Sequence, residues 1–240
     1  VGKKDSAITL RFRNDSSIAI LRIRTFEKNS LRAMGVPSFK KTIHQYLSVV
    51  TSTKSPYLII DVRDNAGGSP EYASYLISHL LDTSFIYIEK YKTVNRLHWN
   101  DSENRLRTQW YPNSGIGTFR SQKSWFRGNL IVLMDGGSTS TAGDFVACLD
   151  YYGRATFIGE ESGSNRVVSG GNVFESTFEL PNTKLRCRMS TIQGINKFDQ
   201  VNDGHGVLPH YPVAPTPADY MSNRNPMLEK ALEIIRNGAL

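Results

Sequence analysis

The chain carries the stretch Gly136-Gly137-Ser138-Thr139-Ser140-Thr141-Ala142-Gly143-Asp144-Phe145 directly after the apolar run Leu130-Ile131-Val132-Leu133-Met134. A short apolar run bounded by glycines and small hydroxyl residues is typical of a buried strand that turns sharply into a helix. The pattern predicts a helix from about Thr141, with Ser140 at its start. Backbone N–H groups in that position have no acceptor within the helix.

Ser140 is the candidate nucleophile of this turn, which we call the serine elbow (residues 135–141). An oxyanion that formed on a carbonyl beside Ser140 would meet the free N–H groups and the positive end of the helix dipole. Ser and Thr before a helix more commonly act as capping residues. The alternative is therefore that Ser138, Thr139 and Ser140 only cap the helix.

A second turn of the same kind occurs earlier, and we call it the glycine elbow (residues 62–69). The apolar run Leu58-Ile59-Ile60 leads through Asp61-Val62-Arg63 into Asp64-Asn65-Ala66-Gly67-Gly68-Ser69-Pro70. Paired glycines let a backbone N–H approach a ligand closely, and Ser-Pro is a typical helix start. Two elbows of this kind predict one composite site, in which the amide of Gly68 lies near Ser140.

Four motifs occur in the order that is found in the tail-specific, or C-terminal processing, protease family. They are Asp61-Val62-Arg63-Asp64-Asn65-Ala66-Gly67-Gly68, Gly137-Ser138-Thr139-Ser140, Tyr152-Gly153-Arg154-Ala155 with Ile158-Gly159-Glu160, and Gly204-His205-Gly206-Val207-Leu208-Pro209. The sequence therefore resembles this family over about residues 18 to 215. The family includes the tricorn core protease and the interphotoreceptor retinoid-binding proteins, and the sequence is more similar to that branch.

The resemblance implies a serine endopeptidase that acts on a peptide or protein without a cofactor or a metal. It implies an α/β fold, crotonase-like (ClpP-like), with stacked strand-strand-helix units and an added β-rich segment. The family's nucleophile falls on Ser140, and its oxyanion donors fall on the N–H groups of Gly68 and Thr141. We expect one protease-family domain over residues 1–240, with a less typical insertion at about 82–127. The resemblance also implies an exported, periplasmic or cell-envelope protein.

The general base is the point at which the sequence departs from the family. The tail-specific branch has a lysine where Asn165 stands, and an amide cannot take a proton from a serine hydroxyl. The tricorn-like branch implies a histidine from a segment before the glycine elbow, oriented by a carboxylate that falls on Asp203. We therefore expect the chain to be the C-terminal part of a longer protein that carries this histidine.

Two further interpretations of the base remain open. Asp203 is also a common kind of loop residue before a glycine. His205 lies inside the closing motif, and it could serve as the chain's own base if it approached Ser140.

Composition narrows the function classes. The 240 residues suffice for one domain with a sizeable core. The net charge is +7, but the Lys and Arg residues are scattered, which argues against nucleic-acid binding. Two cysteines do not form a disulfide framework or a metal motif. The sequence has no apolar run of about 18 residues, so we expect no transmembrane segment. The sequence does not indicate an oligomeric state.

The segment 82–127 is the least similar to the family and is rich in aromatic residues. These are Trp99, Trp110, Tyr111, Phe119 and Trp125. A segment between the two elbows could overhang the site, where exposed aromatic rings would grip a peptide. The alternative is that these rings pack onto the domain.

Two other functions are compatible with the same pattern. A non-catalytic protein could use the groove to bind a peptide or an apolar ligand, which Asn165 and the missing base favour. An enzyme of the crotonase type would act on an acyl thioester with the same oxyanion geometry. That third hypothesis lacks an acidic base beside the Gly68 elbow.

Overall fold

A six-stranded sheet with a second, four-stranded sheet above one end of it organises the chain. The computed structural model describes residues 6–13, 16–100, 105–171, 177–196 and 203–239, with the backbone alone at 94–100 and 105–108. In chain order the elements are β1 (Ile8–Arg13), β2 (Ile18–Ile23), α1 (Lys28–Ala33), α2 (Phe39–Ser52), β3 (Tyr57–Asp61), α3 (Pro70–Ser78), β4 (Phe85–Ile86), β5 (Lys90–Asn100), β6 (Arg105–Trp110), β7 (Thr118–Phe119), β8 (Asn129–Met134), α4 (Thr141–Tyr151), β9 (Thr156–Gly159), β10 (Val168–Gly171), β11 (Thr177–Glu179), β12 (Arg186–Arg188), β13 (Ile192–Ile195), β14 (Tyr211–Pro212), α5 (Pro217–Met221) and α6 (Pro226–Arg236).

The large sheet has the strand order β1-β2-β3-β8-β9-β14. Strands β1 and β2 form an antiparallel hairpin, and the remaining neighbours are parallel. Because helices cover both faces of the parallel part, its strands are apolar without alternation. Leu58, Ile59 and Ile60 of β3 are all fully buried. This mixed α/β architecture confirms the predicted fold class at that level.

Two hydrophobic clusters lie on opposite faces of the large sheet. The larger one joins the sheet to α2, α3 and α4 through residues such as Phe39, Leu76 and Phe145. The smaller one joins it to α6 through Met227 and Ile234. The second face is completed only when the C-terminal helix docks, so α6 is part of the core.

The start of α6 is fixed by a short polar chain. Asn225 caps the helix by accepting a hydrogen bond from the N–H of Leu228, as the Asn-Pro pair predicts. The Arg63 guanidinium donates to Asn225 Oδ1 at 2.9 Å, and it also pairs with Asp61 at 2.7 Å. The strand end that leads into the glycine elbow is therefore tied to the last helix.

The four-stranded antiparallel sheet has the order β10-β13-β5-β6. Strands β5 and β6 belong to the segment 82–127, and β5 pairs with β13 so that Thr93 lies opposite Ile192. The atypical segment thus forms one sheet with residues far along the chain. Strands β11 and β12 pair antiparallel on either side of Pro181.

None of the helices in the described part of the chain is long and apolar enough to cross a bilayer.

Candidate active site

The two elbows follow neighbouring parallel strands. Strand β3 ends in the glycine elbow and β8 ends in the serine elbow, and Asp61 lies opposite Leu133 in their register. The carboxyl ends of adjacent parallel strands meet at one edge of a sheet, which is where α/β proteins generally bind ligands. The topology therefore brings together two segments that are about 70 residues apart in sequence.

Ser140 has an unusual backbone conformation, with φ 53° and ψ −127°. A residue other than glycine with positive φ is strained by about 1–3 kcal/mol, so the surrounding structure must hold it in place. The same kind of sharp strand-to-helix turn exposes the nucleophile in serine hydrolases. Ser140 occupies the N-cap position of α4, but its side chain makes no capping hydrogen bond. Its hydroxyl is therefore not used as a helix cap.

Hydrogen bonds from neighbouring loops hold the serine elbow. The N–H of Ser140 donates to Ser164 Oγ at 2.6 Å. The hydroxyl of Ser138 donates to the carbonyl of Val62 at 2.9 Å, and the N–H of Gly163 donates to the carbonyl of Ser138 at 3.1 Å. Ser138 is thus a structural tie between the elbows, whereas the Ser140 side chain is left for another role.

The glycine elbow is built around a fully buried asparagine. Asn65 donates through Nδ2 to the carbonyl of Ile23 at 3.0 Å, and its Oδ1 accepts from the N–H of Gly67 at 2.9 Å. Gly68 has φ +142°, and a Cβ at this position would overlap the backbone of Phe26 and Glu27. A side chain larger than hydrogen therefore cannot be placed at residue 68 without moving the chain.

Direct contacts join the two elbows, as predicted. The N–H of Thr139 donates to the carbonyl of Asn65 at 3.0 Å, and the hydroxyl of Thr141 donates to the carbonyl of Gly68 at 2.8 Å. A Cβ on Gly67 would lie 2.8 Å from the nitrogen of Thr141. The predicted meeting of two glycine-bordered turns is confirmed.

Two backbone amides near Ser140 have no acceptor among the residues that the structure describes. The bridge between Phe26 and Gly68 uses the N–H groups of Phe26 and Ser69, and among the described residues no hydrogen bond uses the N–H of Gly68. Within the same part of the chain, the N–H of Thr141 has no acceptor either, as expected for the first residue of a helix. Two such donors beside a hydroxyl group are suited to a developing oxyanion.

Ser140 and the two amides line a cleft of about 390 Å³ between the two sheets. We call Gly68, Ser140 and Thr141 the floor of the cleft. The roof consists of residues from the four-stranded sheet and from the loop that follows β6, namely Tyr91, Tyr111, Asn113, Ser169, Gly170, Gly171 and Ile192. The segment 82–127 therefore overhangs the site through Tyr91 and Tyr111, whereas the side chain of Trp99 lies outside the described part of the structure.

Asp144 also lines the cleft, one helical turn after Ser140, and the sequence alone did not identify it. Its side chain is buried, with 3% of the residue exposed, and in the described structure its Oδ1 has no hydrogen-bond partner. Burial raises the pKa of Asp144 to about 7, although hydrogen bonds with Asn196 and Ser169 oppose this shift. An acidic residue followed directly by the apolar run at residues 145–149 was the available sequence signal.

Asp203 and His205 lie outside the cleft lining. The carboxylate of Asp203 pairs with Arg166 at 2.8 Å and accepts from the N–H of His205, which lowers the pKa of Asp203. The ring of His205 is 63% exposed and contacts Glu161 at 3.1 Å. No hydrogen bond joins either residue to Ser140 in the described structure. The role predicted for Asp203 stays a prediction.

Asn165 has a local structural role. Its Oδ1 accepts hydrogen bonds from the N–H groups of Val167 and Val168 at 2.8 and 3.0 Å. This side chain therefore shapes the turn that leads into β10. Its neighbour Ser164 supports the serine elbow by accepting the hydrogen bond from the N–H of Ser140.

A sharp strand-to-helix turn that leaves a serine hydroxyl beside backbone amides is the geometry that serine-type peptidases use. The sequence model of peptidase family S41 matches residues 17–213, and the chain belongs to this family. The resemblance to the tail-specific proteases is thereby confirmed. A comparison with curated protein sequences finds no match for this chain.

Solved structures share the fold at low sequence identity. A candidate peptidase from Parabacteroides merdae is 23% identical with a TM-score of 0.66, and the match covers 97% of this chain and 65% of that one. Mature CPAF is 18% identical with a TM-score of 0.63, covering 88% of this chain and 50% of that one. A candidate S41 protease from Bacteroides fragilis is 15% identical with a TM-score of 0.53, covering 97% and 57%. The chain thus spans half to two thirds of the length of these proteins.

Proposed function

We propose that the protein is a serine endopeptidase in which Ser140 attacks the carbonyl of a peptide bond. The observation that carries this proposal is the strained backbone of Ser140, whose hydroxyl caps no helix. Ser140 shares the cleft with Gly68 and Thr141, whose amides have no acceptor in the described part of the chain. Strain of this kind is retained at functional sites, where it presents a side chain to a ligand. The crotonase-like arrangement of strand-strand-helix units and the single-domain organisation belong to the same proposal.

The N–H groups of Gly68 and Thr141 form the oxyanion hole of the proposed enzyme. Attack by Ser140 moves negative charge onto the carbonyl oxygen, and the two amides bind that oxygen more strongly than the neutral carbonyl. The loss of one such donor typically raises the barrier by about 2.7–4 kcal/mol. The clamp from Thr141 Oγ1 to the Gly68 carbonyl supports the relative position of the two amides.

A histidine outside this chain is the proposed general base, with Asp203 as the carboxylate that orients it. The base takes the proton of Ser140 during attack and returns it to the leaving amine. None of the described residues in the cleft lining is a histidine or a lysine. The same observation favours the second candidate function, a peptide-binding protein that retains the fold without the chemistry.

Labelling by a fluorophosphonate probe separates the two functions. The full-length protein should react with the probe, and Ser140→Ala should abolish the reaction while circular dichroism shows an intact fold. Ser52→Ala is the matched control, since Ser52 is an exposed serine at the end of α2, and this variant should be labelled like the wild type. Labelling that persists in Ser140→Ala would exclude Ser140 as the nucleophile. A wild type that binds peptides but is never labelled would favour the binding protein.

A further inference from the structure

The cleft holds a carboxylate for which the described residues of the lining supply no counter-charge. Asp144 is buried in the lining, and none of the described lining residues is a lysine, arginine or histidine. The full sequence contains 29 lysines and arginines, so cations are abundant elsewhere in the protein. Buried carboxylates are usually paired or fully hydrogen-bonded, because removing the charge from water is costly.

The hydrogen bonds of Asp144 are incomplete in the described structure. The side chains of Asn196 and Ser169 face the carboxylate from the loop after β13 and from β10. Its Oδ1 remains without a partner even though the atom is buried. One carboxylate oxygen of this cleft-lining residue therefore receives no donor from the described residues of the chain.

The position of Asp144 suits contact with a substrate that is held at Ser140. Four residues along a helix correspond to a rise of about 6 Å, and helical side chains lean towards the N-terminus. The carboxylate of Asp144 therefore leans towards the end of α4 where Ser140 and the free amide of Thr141 lie. Tyr91 and Tyr111 add aromatic rings to the same cleft, and aromatic faces attract cations.

We infer that Asp144 determines specificity, and that its free carboxylate oxygen binds the cationic side chain of a lysine or arginine in the peptide that occupies the cleft. This inference rests on the proposed peptidase function of the same site. A long cationic side chain supplies both the missing donor and the missing positive charge. A neutral side chain of equal length supplies at most one of them.

The other ionisable groups around Asp144 remain neutral between pH 6 and pH 8. They are Tyr87, Tyr91 and Cys148, and burial raises the pKa of each of these groups. Burial also raises the pKa of Asp144 to about 7, so its ionised fraction increases between pH 6 and pH 8. The preference for a cationic side chain should therefore increase over this range.

Peptide binding to Ser140→Ala tests the inference without requiring catalysis. The probes are fluorescent hexapeptides of Ala and Gly in which a single position, varied from peptide to peptide, holds Lys, Gln or norleucine. Fluorescence polarisation gives the affinity of each peptide for full-length Ser140→Ala protein. At one position, we expect the peptide with Lys to bind about 10- to 100-fold more tightly than the peptides with Gln or norleucine there. This is the gain typical of a hydrogen bond to a charged group. Asp144→Asn in the same background should remove this preference.

Asp150→Asn is the matched control, because Asp150 lies on the same helix but not in the cleft lining. It should leave the preference for Lys unchanged. If Asp144→Asn does not fold, the Lys-to-Gln affinity ratio of the parent protein should still fall several-fold from pH 8 to pH 6. The inference would be overturned if Lys and Gln peptides bound with equal affinity, or if no Lys peptide bound detectably. It would also be overturned if the preference for Lys survived Asp144→Asn or did not depend on pH. Probe labelling of Ser140 in the wild type would uphold the proposed peptidase in each of these cases.

Discussion

The floor of the cleft comes from the ends of two adjacent parallel strands, whereas its roof comes from strands that are distant in sequence. Gly68, Ser140 and Thr141 on the floor are fixed by short hydrogen bonds and by glycines that admit no side chain. The roof contributes larger polar and aromatic side chains such as Tyr91 and Tyr111. In the proposed enzyme the floor carries the reaction, whereas the roof and Asp144 together select the peptide that is held. Substitutions on the floor should therefore have larger effects than those on the roof.

The largest effect is expected for Gly68→Ala on the floor. The new Cβ would overlap the backbone of Phe26 and Glu27, and alanine disfavours a φ of +142°. We expect a loss of more than about 3 kcal/mol in the free energy of unfolding, and at least a hundredfold loss of probe labelling rate. Urea denaturation and labelling kinetics measure the two effects.

Gly136→Ala is the control for that substitution, because nothing lies within 4 Å of a Cβ at residue 136. Its free energy of unfolding should stay within about 0.5 kcal/mol of the wild type. Similar stability and labelling rates for Gly68→Ala and Gly136→Ala would show that the floor is not as rigid as described.

Asp144→Asn tests the place where floor and roof meet, through the pH dependence of stability. Because burial raises the pKa of Asp144 to about 7, the folded protein retains a proton that the unfolded chain loses near pH 4. The wild type should therefore lose stability as the pH rises from about 4 to about 7, by up to a few kcal/mol from this group. Asp144→Asn should lack that loss and should be the more stable protein at pH 8.

Urea denaturation at pH 5 and pH 8 measures the difference. Asp203→Asn is a useful comparison, because hydrogen bonding lowers the pKa of Asp203 and so favours its ionised form in the folded protein. Replacing the Asp203 carboxylate should therefore not stabilise the protein at pH 8. Parallel stability curves for wild type and Asp144→Asn would contradict the unpaired state of the buried carboxylate.

A smaller effect is expected for the clamp between the elbows. Thr141→Val keeps the size of the side chain but removes the hydroxyl that donates to the carbonyl of Gly68. We expect a loss of about 1 kcal/mol in the free energy of unfolding and a fall of about tenfold in labelling rate. Thr141→Ser retains the donor and should recover most of both. A loss in Thr141→Ser that exceeds the loss in Thr141→Val would instead assign the effect to the methyl group, which only the serine variant lacks.

The smallest effect is expected on the roof, for Tyr111→Ala. This side chain forms part of the cleft wall without contacting the floor in the hydrogen bonds described. Its removal should raise KM for a peptide by less than about tenfold and leave kcat unchanged, which is the signature of uniform binding. Trp110→Ala, at a neighbouring residue that is 60% exposed and not in the cleft lining, should leave both constants unchanged. A large fall in kcat for Tyr111→Ala would contradict the division between floor and roof.

The parts of this site that could be predicted from the sequence are those set by local pattern. The apolar runs before Gly67 and Gly136 fixed two buried strands, and the small residues after them fixed the turns and the start of α4. Asn225 and Pro226 likewise predicted the start of α6 correctly. Each of these features depends on residues within one short stretch.

The parts that could not be predicted depend on pairing between distant segments. Ser164 supports the elbow from 24 residues away, and the hydroxyl of Thr93 donates to the carbonyl of Thr191 across 98 residues. Asp144 carried a local signal, but its buried state depends on Ser169 and Asn196, whose approach no local pattern encodes. The general base and the role of Asp203 remain predictions.

Identification of the modified residue tests the central claim most directly. The full-length wild type is treated with the fluorophosphonate probe, digested and examined by tandem mass spectrometry, which locates the phosphonyl group on one side chain. We predict that the group lies on Ser140, and that prior denaturation of the protein prevents its attachment. A phosphonyl group on Ser138 or Thr141, or on any residue outside the serine elbow, would contradict the account.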